Sequence, residues 1–292
     1  MIRMPNWAPG LGRYHLAFAH HTGRHIRLAY AERLQGPWQI HPPGLLDVAA
    51  AGFAADDLAT PAKTLSTDWA GAEEGFLYAH IASPDLHIDQ AGRRILMYVH
   101  GLLPDGDQKT RLAVSTDGLA FTPQGPFLGP PYFRVFAHGG AVYALAWGGR
   151  LLRSDGWEGP FEPGPWITGA APRAPDWAGL RHAALRVEGD RLHLIYSRIG
   201  DRPERLLYAT VHLSGDWQAW HATEPIDLLT PTLAWEGADL PLSRSTIGAA
   251  HCRERALRDP CLFRDADGSD WLLYSGAGES GIGLARLRGL GE

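Results

Sequence analysis

Short apolar runs recur along the chain, each opened by Gly or Asp and closed by an aromatic: Gly12 to Phe18, Gly92 to Tyr98, Gly140 to Trp147, Asp190 to Tyr196 and Gly268 to Tyr274. Runs of this length between turn residues predict strands. A second run follows each, carrying Arg27-Leu28, Arg111-Leu112, Arg150-Leu151, Arg205-Leu206 and, in the last copy, Gly283-Leu284. In the first four copies a further turn delivers an aromatic, in Gly36-Pro37-Trp38, Gly118 to Phe121, Gly159-Pro160-Phe161 and Gly215-Asp216-Trp217. The unit is an antiparallel meander, present five times. Its openings lie 80, 48, 50 and 78 residues apart, so the basic period is near the roughly 40–50 residues of a propeller blade. Each long interval holds one extra loop. No stretch keeps a helical period over several turns.

The expectation is an all-β, five-bladed β-propeller formed as a single domain over residues 1–292, because blades stacked in a ring bury their faces against neighbours and need no second core. The innermost strand of each blade lines a central funnel. Four are predicted: Ile81 to Ile88, Tyr132 to Phe136, Arg181 to Leu185 and Arg258 to Phe263. The first blade has only residues 2–9 for this role, and the fifth copy stops after its third strand near Leu287. A terminal segment must therefore close the ring, by N-terminal residues pairing with the last or the first blade. Two connections, about 42–79 and 221–257, are long enough to be binding loops, and each leads into an inner strand with an Asp, which puts both at the funnel mouth.

Composition agrees with short strands and tight turns: 35 Gly, 22 Pro, 11 Trp, 9 Tyr and 9 Phe. A net charge of −5 and a pI near 6.3 supply no field to hold a polyanion, which excludes non-specific nucleic-acid binding. Lys63 and Lys109 are the only lysines, so the basic groups are planar guanidinium forks suited to carboxylate, phosphate or sulfate. Two cysteines, Cys252 and Cys261, do not make a disulfide framework and fit a reducing compartment. No apolar signal region and no membrane-length run is visible, so a cytoplasmic protein without a membrane partner is expected.

Ser83-Pro84-Asp85-Leu86 and Arg258-Asp259-Pro260-Cys261-Leu262-Phe263, each followed by a Gly turn and a strand ending in Tyr, resemble the inner-strand motifs of five-bladed glycoside hydrolases of families 43 and 117. Ser154-Asp155-Gly156 through Gly159-Pro160-Phe161 is similar to an outer-strand phrase of those enzymes. The resemblance implies carboxylates converging on the axis, one activating water and one protonating the glycosidic oxygen, as an oxocarbenium-like transition state requires. Asp85 and Asp259, read as occupying matching places, are the first two. The chain departs from the pattern at the third: Tyr132-Phe133-Arg134 and Arg181-His182 stand where a glutamate is expected. Replacements would come from loops, namely Glu279, Glu236, Asp239 or Glu74.

Arginines take the places of the missing acids. Arg134, Arg181 and Arg258 start inner strands, and their mutual repulsion needs carboxylates or an anionic ligand. An acidic sugar or oligosaccharide, such as a uronate, would fit, with His20, His21, His100 and Trp147 completing its binding site. His182 is a candidate acid or base, and with Arg134 and Arg181 it also suits a lyase acting on a uronate. Asp85, Asp259 and Glu279 complete the catalytic candidates, and a non-catalytic sugar-binding protein is the remaining alternative. No cofactor is required. His80, His100, His182 and His251 keep open a divalent metal in the channel, although none forms a ligand-spaced motif.

Overall fold

The structure, a computed structural model, describes residues 1–20, 23–58, 78–169, 179–248 and 250–290. Its described regular elements are strands and three short 3-10 turns, with the strands in five antiparallel sheets. Two compact units divide them.

The first unit, Met1–Phe133 with Glu158–Pro160, holds two sheets. One is β1 (Ile2–Arg3), β2 (Tyr14–Phe18), β3 (His25–Ala31) and β4 (Gln39–Asp47); the other is β5 (Ile81–Asp89), β6 (Arg94–Leu102), β7 (Gln108–Ser115) and β8 (Thr122–Gly129). Ile26, Leu28, Ile81, Ile95, Met97 and Val99 form its core. Residues 95–102 of β6 are buried on both faces, which requires that both faces of the strand be covered.

The second unit, Arg134–Trp157 with Phe161–Glu292, holds three sheets. They are β9 (Arg134–His138), β10 (Ala141–Ala146), β11 (Arg150–Ser154) and β12 (Glu162–Trp166); β13 (Leu180–Glu188), β14 (Arg191–Arg198), β15 (Leu206–His212) and β16 (Ile226–Leu229); and the three-stranded β17 (Leu257–Arg264), β18 (Asp270–Gly276) and β19 (Gly281–Leu287). Leu145, Leu151, Leu180, Leu194, Tyr196 and Leu207 form one core cluster. A second joins Ile195 and Leu206 to Leu257, Leu272 and Tyr274.

The turn-opened runs of the sequence are β2, β6, β10, β14 and β18, and the four predicted inner strands are β5, β9, β13 and β17. The N-terminal residues join the first sheet, with Ile2 opposite His15 and Arg3 opposite Tyr14. Two strands occupy spans read as loops. β4 runs on to Asp47 despite Pro42 and Pro43, because it lies at the edge of its sheet and the prolines fall in a register shift, between His41 opposite Leu28 and Leu46 opposite Ile26. β16 and a 3-10 turn at Ala234–Glu236 fall within 221–257. Residues 59–77, including Glu74, lie outside the described residues.

One local feature recurs in three first strands. Pairing shifts between Ala82 and Asp85 in β5, between Leu180 and Ala183 in β13, and between Arg258 and Cys261 in β17. In each, two residues face one on the neighbouring strand. Bulges of this kind bend the strand and re-aim its side chains.

Candidate functional site

The β17 bulge carries Asp259, whose φ of 48° places a non-glycine residue in the left-handed region. That conformation costs about 1–3 kcal/mol and is held only where the surroundings over-determine it. The surroundings here are specific. Ser275 Oγ donates to Asp259 Oδ2 at 3.2 Å, and His182 Nδ1, from the β13 bulge, lies 3.1 Å from Asp259 Oδ1. His182 is buried, whereas the Asp259 side chain is 37% exposed. The carboxylate is thus gripped from the protein side and open to solvent.

Behind this pair sits a buried charge cluster. Arg258 is 1% exposed. Its Nε donates to Glu204 Oε2 at 2.7 Å, its Nη1 to Glu279 Oε1 at 3.1 Å and its Nη2 to Glu254 Oε2 at 2.8 Å. Burial alone would lower the guanidinium pKa, but Glu204, Glu279 and Glu254 outweigh it and raise the value above the ordinary one. Glu204, also 1% exposed, accepts from Ser245 Oγ at 2.7 Å and lies 3.3 Å from Arg181 Nε. Arg181 Nη1 donates to the Gly248 carbonyl at 3.1 Å. Arg134, half-buried at the head of β9, donates from Nε to the Ala183 carbonyl at 2.9 Å.

The first unit carries its own carboxylate–imidazole pair. Asp85 Oδ2 lies 2.8 Å from His87 Nε2, with side chains 19% and 22% exposed. Tyr98, opposite Asp85 in β6, is fully buried and meets His87 edge to face at 5.9 Å. Burial, then the Asp85 charge, pushes the Tyr98 phenol above its usual pKa. At the other end of the β5 bulge, His100 stacks on Tyr132 at 4.3 Å and meets His80 at 5.6 Å.

Pairing register corrects one expectation. Asp85 and Asp259 do not occupy matching places: Asp85 is the first paired residue after its bulge, where β17 has Cys261, and Asp259 corresponds to Ser83. Ser83 shares the left-handed backbone, with φ 52°. Each of these two residues precedes a proline, and aligning Pro84 with Pro260 would have given the register. The repulsion expected among the arginines is relieved for Arg181 and Arg258 by Glu204, Glu254 and Glu279, so both guanidiniums face protein carboxylates.

The other candidates are dispersed. Glu279 belongs to the Arg258 cluster. Glu236 is a buried anchor: it accepts from the Tyr274 hydroxyl at 2.7 Å and from the Thr232 and Leu233 amides. Asp239, His20 and His251 are exposed, Trp147 is 6% exposed in a 3-10 turn, and His21 lies outside the described residues. Among the described residues no group of three or more His, Cys, Asp or Glu side chains is placed to hold a metal ion. Sequence reasoning missed His87, Glu204, Glu254, Ser245 and Ser275. His87 had a signal, since residues two apart on a strand share a face. Glu204 had none, because the residue before the Arg-Leu pair is Ile26, Thr110 or Gly149 in the other repeats and no acid recurs there.

No family model matches the chain. Solved structures match nearly all of it: a thermostable family-43 glycoside hydrolase (TM-score 0.59, 14% identity, 94% of this chain and 86% of that one). Another is CoXyl43, a family-43 β-xylosidase/α-arabinofuranosidase from a compost microbial metagenome solved with xylotriose (0.55, 13%, 92% and 83%). A third is a GH43_1 enzyme from Xanthomonas citri (0.55, 15%, 92% and 80%). At these identities the likeness shows the fold, an all-β five-bladed β-propeller. In sequence the chain is 33% identical over 306 residues to the uncharacterized protein R118 of Acanthamoeba polyphaga mimivirus, covering 98% of this chain and 82% of the relative. A match of that extent means that the chain belongs to the family of the mimivirus protein R118.

Proposed function

We propose that the chain is a carbohydrate-active enzyme, a glycoside hydrolase acting on an acidic sugar or oligosaccharide. The observation that carries the reading is Asp259: a part-exposed carboxylate at a strained bulge, held from behind by His182 and Ser275. Such a group suits the activation of water against a sugar carbon, since its orientation is fixed while the side chain stays part-exposed. The proton donor of this reading is a loop glutamate, Glu279, or a histidine, His182. Asp85 with His87 is the corresponding candidate of the first unit. The fold shared with family-43 enzymes supports the reaction class by analogy. The acidic character of the sugar rests on the guanidinium of Arg134, a half-buried cation at the head of β9.

The test is turnover of a panel of aryl glycosides and oligosaccharides, neutral and uronic. Asp259→Asn is expected to lower kcat/KM by about 10²–10⁴-fold, the range for a lost general base, and Asp85→Asn is measured beside it. Arg134→Ala is expected to weaken uronate binding about tenfold or more while sparing the neutral analogue. Unchanged turnover in Asp259→Asn refutes the assignment, and equal losses for both ligands refute the acidic sugar. The His182–Asp259 contact also favours a second reading, elimination from a uronate with His182 as the base. An unsaturated product absorbing in the ultraviolet separates it from hydrolysis. Binding without turnover by the unaltered protein would instead identify a sugar-binding protein.

A further inference from the structure

His182 and Asp259 are each preceded by a buried arginine, and both arginines converge on one carboxylate. Glu204 Oε1 lies 3.3 Å from Arg181 Nε, and Oε2 accepts from Arg258 Nε at 2.7 Å. The spacing of the two bulges is therefore coupled, through a single side chain, to the 3.1 Å approach of His182 to Asp259. Glu204 is itself fixed on several sides. Its carbonyl accepts from the Leu257 amide at 3.1 Å, and it bridges Ala256, so its backbone is pinned to the start of β17. Ser245 Oγ donates to Oε2 at 2.7 Å, and the Ser245 backbone pairs with Gly200 and Asp201 in the same turn. Arg258 is held on its other nitrogens by Glu279 and Glu254.

We propose that Glu204 is a positioning residue, whose two oxygens take the arginine that precedes His182 and the arginine that precedes Asp259 and thereby set the distance and angle between His182 and Asp259. The inference rests on the reading of that pair as the working groups of the site. The carboxylate is specific for the task. An amide at 204 carries no charge, so the ion pair to Arg181 is lost, while its oxygen can still accept from the Nε–H of Arg258. One bulge is then released while the other stays held. Misplacement of reacting groups by about 1 Å costs on the order of a hundredfold in rate.

The experiment uses the full chain with 15N-labelled histidine, the His182 imidazole signals being assigned by their loss in His182→Gln. In Glu204→Gln the His182 signals are expected to shift and broaden while those of His15 and His138 stay in place. Where turnover is measurable, kcat should fall about 10–100-fold with KM within about threefold. A folded Glu204→Gln protein whose His182 signals superimpose on those of the unaltered chain overturns the proposal. Should Glu204→Gln fail to fold, Ser245→Ala decides: loss of its hydrogen bond should move the His182 signals, and superimposable signals overturn the proposal. If the unaltered protein turns over no glycoside, the reaction assigned above fails, and the imidazole spectrum still decides the role of Glu204.

Discussion

Arg258 makes charge-assisted hydrogen bonds to Glu204, Glu279 and Glu254 from a position 1% exposed. Arg258→Met keeps most of the side-chain volume and removes the charge. Glu204, equally buried, is then left with Arg181 and Ser245, while Glu254 and Glu279 lose their shared cation. Breaking a buried ion pair from one side costs about 3–5 kcal/mol, because the remaining charge stays desolvated. For a chain of this size that corresponds to a fall in Tm of roughly 5–8 °C. Thermal and urea unfolding followed by circular dichroism at pH 7 measures it. Combining Arg258→Met with Glu204→Gln should recover more than half of the loss, since the most deeply buried stranded charge is then gone. An Arg258→Met protein within about 1 kcal/mol of the parent, or a double variant no better than the single one, would refute this account.

Two further outcomes concern the first unit. His15 is 1% exposed, and its Nε2 accepts from the Leu11 amide at 3.2 Å; burial, helped by repulsion from His41, lowers its pKa from 6.5 to about 4. The unfolded chain therefore binds more protons between those values, so stability is complete above about pH 6.5 and falls by about 3 kcal/mol as pH drops toward 4. His15→Gln should flatten that part of the urea-derived stability profile, and parallel profiles for the two proteins would contradict the assignment. A Cβ at Gly101 would sit 2.5 Å from the His80 carbonyl oxygen and 2.6 Å from the Phe53 ring, so Gly101→Ala should cost about 1–3 kcal/mol in the same assay.

Strands were legible in this sequence because their evidence is local and repeated. A Gly or Asp, an apolar run and an aromatic mark β2, β6, β10, β14 and β18 without reference to the rest of the chain. β4 and β16 were missed for the opposite reason: edge strands bury little, and β4 carries Pro42, Pro43 and Gly44 where turn residues are normally read as breaks. The site was legible in part. Asp259 and His182 were singled out and stand together, yet the partner of Asp85 is His87, and Arg258 faces glutamates rather than open solvent. What joins them is contact between segments distant in sequence. Glu204 meets Arg258 across 54 residues and Ser245 across 41, and no periodicity encodes such a meeting.

The recurring bulge has a consequence for how this chain can change over generations. Where two residues face one, the strand resumes its ordinary alternation on the far side, as Leu86 and Ile95 continue the buried face of β5 and β6 beyond Asp85. Replacements at Ser83, Arg181 or Asp259 therefore need not disturb which residues enter the core, whereas a one-residue slip elsewhere would invert a strand. Equivalent positions already hold a hydroxyl, a guanidinium and a carboxylate. Selection can exchange reactive groups at these three points while the strands that support them keep their packing, so relatives with the same sheets are free to diverge in the reaction they perform.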